Sequence, residues 1–166
     1  MERLYVVLTL AIYGTTVRRL NIGKSGWLTD QVYFSVNEPK EHWCLAQFEI
    51  RTRVVTFYDS LGWAGGSRRR WWRRMKKVLP EKLYLLMHGI FDSKGISADD
   101  YKITYNYAFV PFQASLYDDC GIWVCIFIYR LCRNLPVAVD NDLLETALAY
   151  RERMLEFFWN HKILVE

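Results

Sequence analysis

The chain has 166 residues and a mass of 19.8 kDa, enough for one hydrophobic core and too little for two ordinary domains, so residues 1–166 are read as a single domain. With 52% hydrophobic, 16% aromatic and 24% charged residues, and only 9 Gly and 4 Pro, the composition excludes a disordered chain, a collagen-like repeat and a coiled coil. The net charge of +4 is local: seven of the 22 basic residues stand between Arg68 and Lys77, and the rest of the chain is net acidic.

In chain order, the first apolar run is Leu4 to Tyr13. It is half the length that crosses a bilayer as a helix, so no membrane span is expected. Arg3 gives it the outline of a signal-peptide core, but Thr15, Thr16, Val17, Arg18 and Arg19 offer no small-residue cleavage site. A core strand or helix is expected there. Val32 to Val36, His42 to Ile50 and Val54 to Tyr58 read as strands. The second alternates Cys44, Ala46, Phe48 and Ile50 with Trp43, Leu45, Gln47 and Glu49, and the polar turn Arg51-Thr52-Arg53 makes a hairpin of the last two.

Between Ser67 and Leu79, Trp71, Met75 and Val78 recur at helical spacing among basic residues, which predicts an amphipathic helix stopped by Pro80. Its basic run reads three ways: the solvated side of a helix, a nuclear-import signal, or a nucleic-acid contact with Trp71 and Trp72 as stacking surface. Trp71 and Met75 are four apart and expected to pack inward, so nucleic acid is the least favoured partner. Lys102 to Val110 alternates aromatic and polar residues like a strand, closed by Pro111. Cys120 to Cys132 is apolar all round and predicts a buried helix, with Asp118 and Asp119 placed for an N-cap and with Asn134 and Pro136 beyond its end. Asp142 to Trp159 predicts a surface helix that closes the fold, with Asp142 and Glu145 as a capping-box-like pair and an apolar stripe through Leu144, Leu148, Met154, Leu155 and Phe158. These elements give an α/β, or more strictly α+β, chain with a small, mainly antiparallel sheet flanked by helices.

Four cysteines, Cys44, Cys120, Cys125 and Cys132, are expected to stay reduced in a chain this apolar, and their spacing does not match a zinc site, so no metal is expected. Three polar residues end apolar elements: His42 at a strand start, Asp59 at a strand end and Cys120 at a helix start. An even hairpin loop puts His42 and Asp59 on one face, diagonally adjacent if Arg51 and Thr52 alone form the loop and directly opposite if it spans Glu49 to Thr52. An odd loop without a bulge puts them on opposite faces. A cysteine opening a helix sits at the positive end of the helix dipole, which lowers a thiol pKa from about 8.5 toward roughly 3.5–7.5. A histidine beside it completes a nucleophile and base, and a carboxylate orients the ring. Gln113 is placed to supply an amide donor for an oxyanion beside the Cys120 N–H.

The strings Val32-Tyr33-Phe34-Ser35-Val36-Asn37, His42-Trp43-Cys44-Leu45, Val54 to Leu61 and Asp119-Cys120-Gly121-Ile122-Trp123-Val124-Cys125 resemble the ubiquitin-like-protein-specific (SUMO) cysteine proteases, most closely their plant and transposon-borne members. The resemblance runs from about Trp27 to Trp159, including Tyr150-Arg151. It implies a papain-like core, a catalytic triad of His42, Asp59 and Cys120, Gln113 as oxyanion donor, and Trp43 as an aromatic wall that binds substrate. It also implies a ubiquitin-like modifier as partner, no cofactor, no membrane, a monomer, and a nuclear or cytoplasmic setting. Three departures stand out: Ser35 replaces the family's usual Pro, Gln113 precedes Cys120 by seven residues instead of six, and family domains begin earlier with helices that grip the substrate tail. On that last ground a module that binds a modifier without turning it over is the alternative. An acetyltransferase on the same core is a further reading, against which Asp59 rather than Glu argues. Cys44, His88 and His161 lack partners in this scheme and are read as structural, and Ser60 stands in no nucleophile-elbow context.

Overall fold

The computed structural model describes residues 6–10, 31–66, 68–92, 102–113, 119–139 and 142–161. At the centre lies an antiparallel meander of β2 (Gln31–Glu38), β3 (His42–Glu49) and β4 (Val54–Tyr58). The strand β1 (Val6–Leu10) pairs with β2, and β5 (Thr104–Tyr107) with β4, both in parallel. The five strands form one sheet in chain order. The fold is α+β as expected; the sheet is mixed, antiparallel in the middle and parallel at both edges. The first apolar run supplies an edge strand, and the rest of Leu4 to Tyr13 lies outside the described residues.

The strand expected over Lys102 to Val110 contracts to β5. Its ladder runs only as far as β4 offers partners, from Val54 opposite Thr104 to Phe57 opposite Tyr107, and ends with the Ala108 N–H donating to the Phe57 carbonyl at 2.9 Å.

Alternation along β3 divides the core in two. Cys44, Ala46 and Phe48, with Val55 and Phe57 of β4, pack against Trp72, Met75, Leu79 and Leu83 of α1 (Arg70–Asp92). Leu45 and Tyr58 on the opposite side pack against Trp123, Ile126 and Phe127 of α2 (Cys120–Cys132). The last helix, α3 (Leu143–Asn160), lies against α2.

Pro80 does not stop α1, which continues to Asp92. Proline removes the N–H that would bond the carbonyl four residues earlier. That carbonyl belongs to Lys76, and the hydroxyl of Tyr105 on β5 donates to it at 2.5 Å. Leu79 and Leu83, both buried, continue the apolar stripe across the proline. Burial on the sheet and a replacement donor together carry the helix through the break.

Two further expectations change. Asp119 stands at the N-cap of α2 but makes no side-chain cap bond; its carboxylate accepts from Arg151 of α3 at 2.8 Å instead. Asp118 lies outside the described residues. The helix itself is one-sided, with Cys120, Trp123, Ile126 and Phe127 buried while Tyr129 is exposed, so Cys125 and Cys132 are half-buried and not interior. On α3, Leu143, Ala147, Tyr150 and Met154 turn inward, while Leu144, Leu148, Leu155 and Phe158 are exposed. Met154 of the predicted stripe turns inward as expected; the rest of the inward side is shifted by about one residue, centred on fully buried Ala147. The predicted cap at Asp142 forms, its carboxylate accepting from the N–H groups of Leu144 and Glu145 at 2.9 and 3.0 Å. Among the described residues no helix is long and apolar enough to cross a membrane.

Candidate active site

The β3–β4 ladder pairs Leu45 with Tyr58 and Glu49 with Val54. This is the register in which His42 and Asp59 lie diagonally adjacent on one face. The turn closes it with Arg53 in the left-handed region (φ 58°) and its N–H bonded to the Glu49 carbonyl at 2.9 Å. Just past the ladder's end, His42 Nε2 donates to Asp59 Oδ1 at 2.7 Å, and both side chains are buried.

The Asp59 carboxylate is also held by its own loop. The Leu61 N–H donates to Oδ1 at 3.0 Å and the Ala64 N–H to Oδ2 at 2.6 Å. Burial alone would raise this carboxyl, but His42 and the two backbone donors outweigh it, and its pKa lies below the ordinary carboxylate value. Asp59 is therefore a fixed anion at neutral pH.

Cys120 enters from the other face of the sheet, at the first turn of α2. Burial would raise its thiol, yet the His42 ring and the backbone N–H groups of Trp43 and Gly121 outweigh burial, and the pKa is lowered. His42 shows the counterpart. Burial would push the imidazolium down, but Asp59 and Cys120 together raise its pKa to about 9. With Nε2 committed to Asp59, the buried Nδ1, which makes no hydrogen bond, is the nitrogen left to serve the sulfur. Each group favours the charged form of the other, imidazolium beside a thiol of lowered pKa.

The structure thus brings together His42, Asp59 and Cys120 from a strand start, a strand end and a helix start. Gln113 is buried beside them through Ser60: its N–H donates to the Ser60 carbonyl at 3.0 Å, and its side-chain Oε1 accepts from the Ser60 hydroxyl at 2.6 Å. That bond commits the amide oxygen and turns the amide N–H₂ to the opposite side. Residues 114–118, which carry the extra position of the Gln113–Cys120 spacing, lie outside the described residues. Gly62 helps to set this loop. Its φ of 66° is left-handed, and a Cβ there would crowd the Phe112 ring at 3.1 Å, so glycine lets the chain before Gln113 close onto the Asp59 turn without strain.

Trp43 follows His42, so its indole projects from the opposite face of β3, where it is 37% exposed. Its backbone N–H is the part that serves the sulfur. Cys44 lies beneath the site, its thiol donating to the Leu45 and Tyr58 carbonyls at 3.3 and 3.4 Å, and burial holds its pKa well above that of Cys120. His161 ends α3 against Phe157, and the side chain of His88 is outside the described residues. Among the described residues, no cluster of three or more His, Cys, Asp or Glu side chains could hold a metal.

Sequence reasoning missed two residues here. Ser60, which stands in no nucleophile-elbow context, holds the Gln113 side chain through its hydroxyl. Trp63 packs its indole on the His42 ring, with 5.0 Å between centroids and a 60° tilt. A tryptophan in a glycine-rich turn four residues after Asp59 was the available signal.

The family model described as "Ulp1 protease family, C-terminal catalytic domain" matches residues 13–157. Among solved structures the chain is similar to the C-terminal Ulp1 protease domain in complex with Smt3, the yeast ortholog of SUMO, at 22% identity over 74% of this chain and 48% of that one, with a TM-score of 0.49. It is similar to the effector ChlaDUB1 of Chlamydia trachomatis at 16% identity over 83% and 59%, with a TM-score of 0.42. To the effector XopD of Xanthomonas campestris bound to ubiquitin it is similar at 14% identity over 75% and 61%, with a TM-score of 0.41. The chain spans about half the length of the Ulp1 structures it matches. No curated protein sequence matches it.

Proposed function

Because the chain belongs to the Ulp1 protease family, matched across residues 13–157, we propose that it is a thiol peptidase or isopeptidase that cleaves after the C-terminal glycine of a ubiquitin-like modifier, SUMO first among them, in precursor maturation or deconjugation. The observation that carries the reading is the His42 imidazole coupled to the Asp59 carboxylate on one side and to a Cys120 thiol of lowered pKa on the other.

In this mechanism the Cys120 thiolate attacks the glycine carbonyl carbon and forms a C–S bond. The Cys120 N–H and the Gln113 amide hold the oxyanion, a kind of donor worth on the order of 10²–10³ in rate each. The His42 imidazolium gives its proton to the departing amine as the C–N bond breaks, leaving a thioester. Neutral His42 then takes a proton from water, the resulting hydroxide attacks the thioester carbonyl, and the thiolate leaves with a glycine carboxylate as product. Asp59 keeps the ring oriented and stabilises its charge throughout. Trp43 serves as the aromatic wall beside the triad that meets the substrate. No cofactor takes part.

The partner is the modifier or its conjugate, engaged by a monomer in the nucleus or cytoplasm. Nucleic acid is disfavoured because Trp72 is fully buried and Trp71 packs against the core, so neither offers a face for a base. Vinyl sulfone probes bearing different ubiquitin-like modifiers test the reading. Wild type is expected to form a covalent adduct with at least one, and Cys120→Ser with none while keeping the same circular dichroism. A wild-type chain inert to the whole panel overturns the peptidase in favour of a modifier-binding module.

A further inference from the structure

A ring held through one nitrogen can still pivot. The 2.7 Å bond from Nε2 to Asp59 fixes one atom of the His42 imidazole, and rotation about it would swing Nδ1 away from the sulfur. The indole of Trp63 lies against the ring and blocks that swing.

Trp63 is itself gripped from behind. The Arg69 guanidinium sits 3.9 Å from its ring centroid, a cation–π contact. Arg69 Nε and Nη2 donate to the Glu38 carboxylate at 2.9–3.2 Å, and Nη2 reaches Glu41 at 3.2 Å. Glu38 is only 7% exposed, and a carboxylate so buried needs a charged partner. The two-pronged pairing also sets the guanidinium plane, which a lysine would not do. Glu38 is moreover the cross-strand partner of His42 on the β2–β3 hairpin. The contacts therefore close on themselves: from the hairpin end that bears His42, through Glu38, Arg69 and Trp63, back to the His42 ring. The Ala64 N–H that binds Asp59 belongs to the residue after Trp63, so the same grip steadies the carboxylate.

We propose that Glu38, Arg69 and Trp63 are positioning residues that hold the His42 ring with Nδ1 aimed at Cys120. The proposal rests on the thiol-peptidase reading of the site, but its test reads the thiol directly and needs no substrate. The charged and titratable groups around the ring are Asp59 and Cys120 directly, and Arg69, Glu38 and Glu41 by way of Trp63.

The experiment is the rate of Cys120 alkylation by iodoacetamide between about pH 4 and pH 10, followed on its own peptide by mass spectrometry. A mis-aimed imidazolium no longer stabilises the thiolate, so in Trp63→Ala and Arg69→Ala the midpoint is expected to rise by about one pH unit, roughly tenfold slower alkylation on the acid side. Trp63→Phe keeps a ring against His42 and is expected to retain the wild-type midpoint. Glu38→Gln separates positioning from charge: losing a negative charge alone would lower the midpoint, whereas a slackened grip raises it. Midpoints unchanged from wild type in Arg69→Ala and Glu38→Gln, with only the thermal melting temperature reduced, overturn the proposal; these two variants decide it if Trp63→Ala does not fold. A wild-type midpoint equal to that of His42→Ala overturns the peptidase reading as well, so the two failures are told apart.

Discussion

The two faces of the sheet carry helices of opposite character. On one, α1 is amphipathic, burying Trp72, Met75, Leu79 and Leu83 while Arg70, Arg73, Arg74 and Lys77 stay in solvent. This face also holds His42, Asp59 and the loop through Trp63 that steadies them. On the other, α2 is apolar on nearly every side, packs against α3, and brings the Cys120 sulfur to the site from its first turn. One face holds the His42–Asp59 pair and the other brings the Cys120 thiol to it. The site exists only at the strand ends, where groups from both faces can pass beyond the sheet and meet.

Asp59→Asn breaks the first face's half and leaves the second intact. It is expected to lower kcat/KM on a modifier precursor by as much as roughly 10⁴-fold, the size such a change has in a serine triad. Asp59 raises the His42 pKa, so its loss lowers that pKa from about 9 toward the ordinary 6.5. The alkaline limb of the pH–rate profile then moves to lower pH; a limb that stays in place would detach Asp59 from the ring.

Trp72→Ala empties the largest buried side chain beneath the first face. The expected cost is about 3–5 kcal/mol in urea unfolding. In the protein that remains folded, Cys120 is expected to alkylate at the wild-type midpoint, because Asp59, Trp63 and the Glu38–Arg69 pair still hold the His42 ring. A shifted midpoint would show that the two faces are not separable.

Tyr105→Phe is smaller. It leaves the Lys76 carbonyl without the donor that replaces the missing Pro80 N–H, an unmet acceptor worth about 1–3 kcal/mol. Hydrogen exchange along α1 is expected to speed up around Pro80 while α2 keeps its protection. Smallest is Arg151→Ala, which removes a partly exposed ion pair with Asp119 and is expected to cost about 0.2–1 kcal/mol. Its loss acts at the α2–α3 contact.

The strands and the element ends at which His42, Asp59 and Cys120 stand were legible in the sequence because they follow from local rules, and alternation at Cys44, Ala46, Phe48 and Ile50 marked the strand's inner face. The hairpin register was not: the sequence allowed a two-residue, a four-residue or an odd loop, and the three residues were joined into one site only by the family resemblance. What escaped depends on partners distant in the chain. No local signal says that Tyr105 will satisfy a carbonyl in α1, so Pro80 looked like a stop. Asp119 looked like a cap because its other option, Arg151, lies a helix away. On α3, hydrophobicity favoured the leucines, while packing selected small Ala147 at the contact. Ser60 and Trp63 were hidden for the same reason: their roles are defined by Gln113 and His42, not by their own neighbours in sequence.

The order of the strands carries a consequence in time. The meander from Gln31 to Tyr58 is made of hairpins between neighbours, contacts of low sequence separation that form early, whereas the parallel edge at β5 closes only across a long crossover, and the helix bearing Cys120 is synthesised later still. During synthesis the imidazole and carboxylate can therefore be in place before the Cys120 sulfur reaches them. The Cys120 thiol gains the His42 ring and the Trp43 N–H that lower its pKa only when α2 docks on the sheet, so its electrostatic setting is the last part of this corner to form.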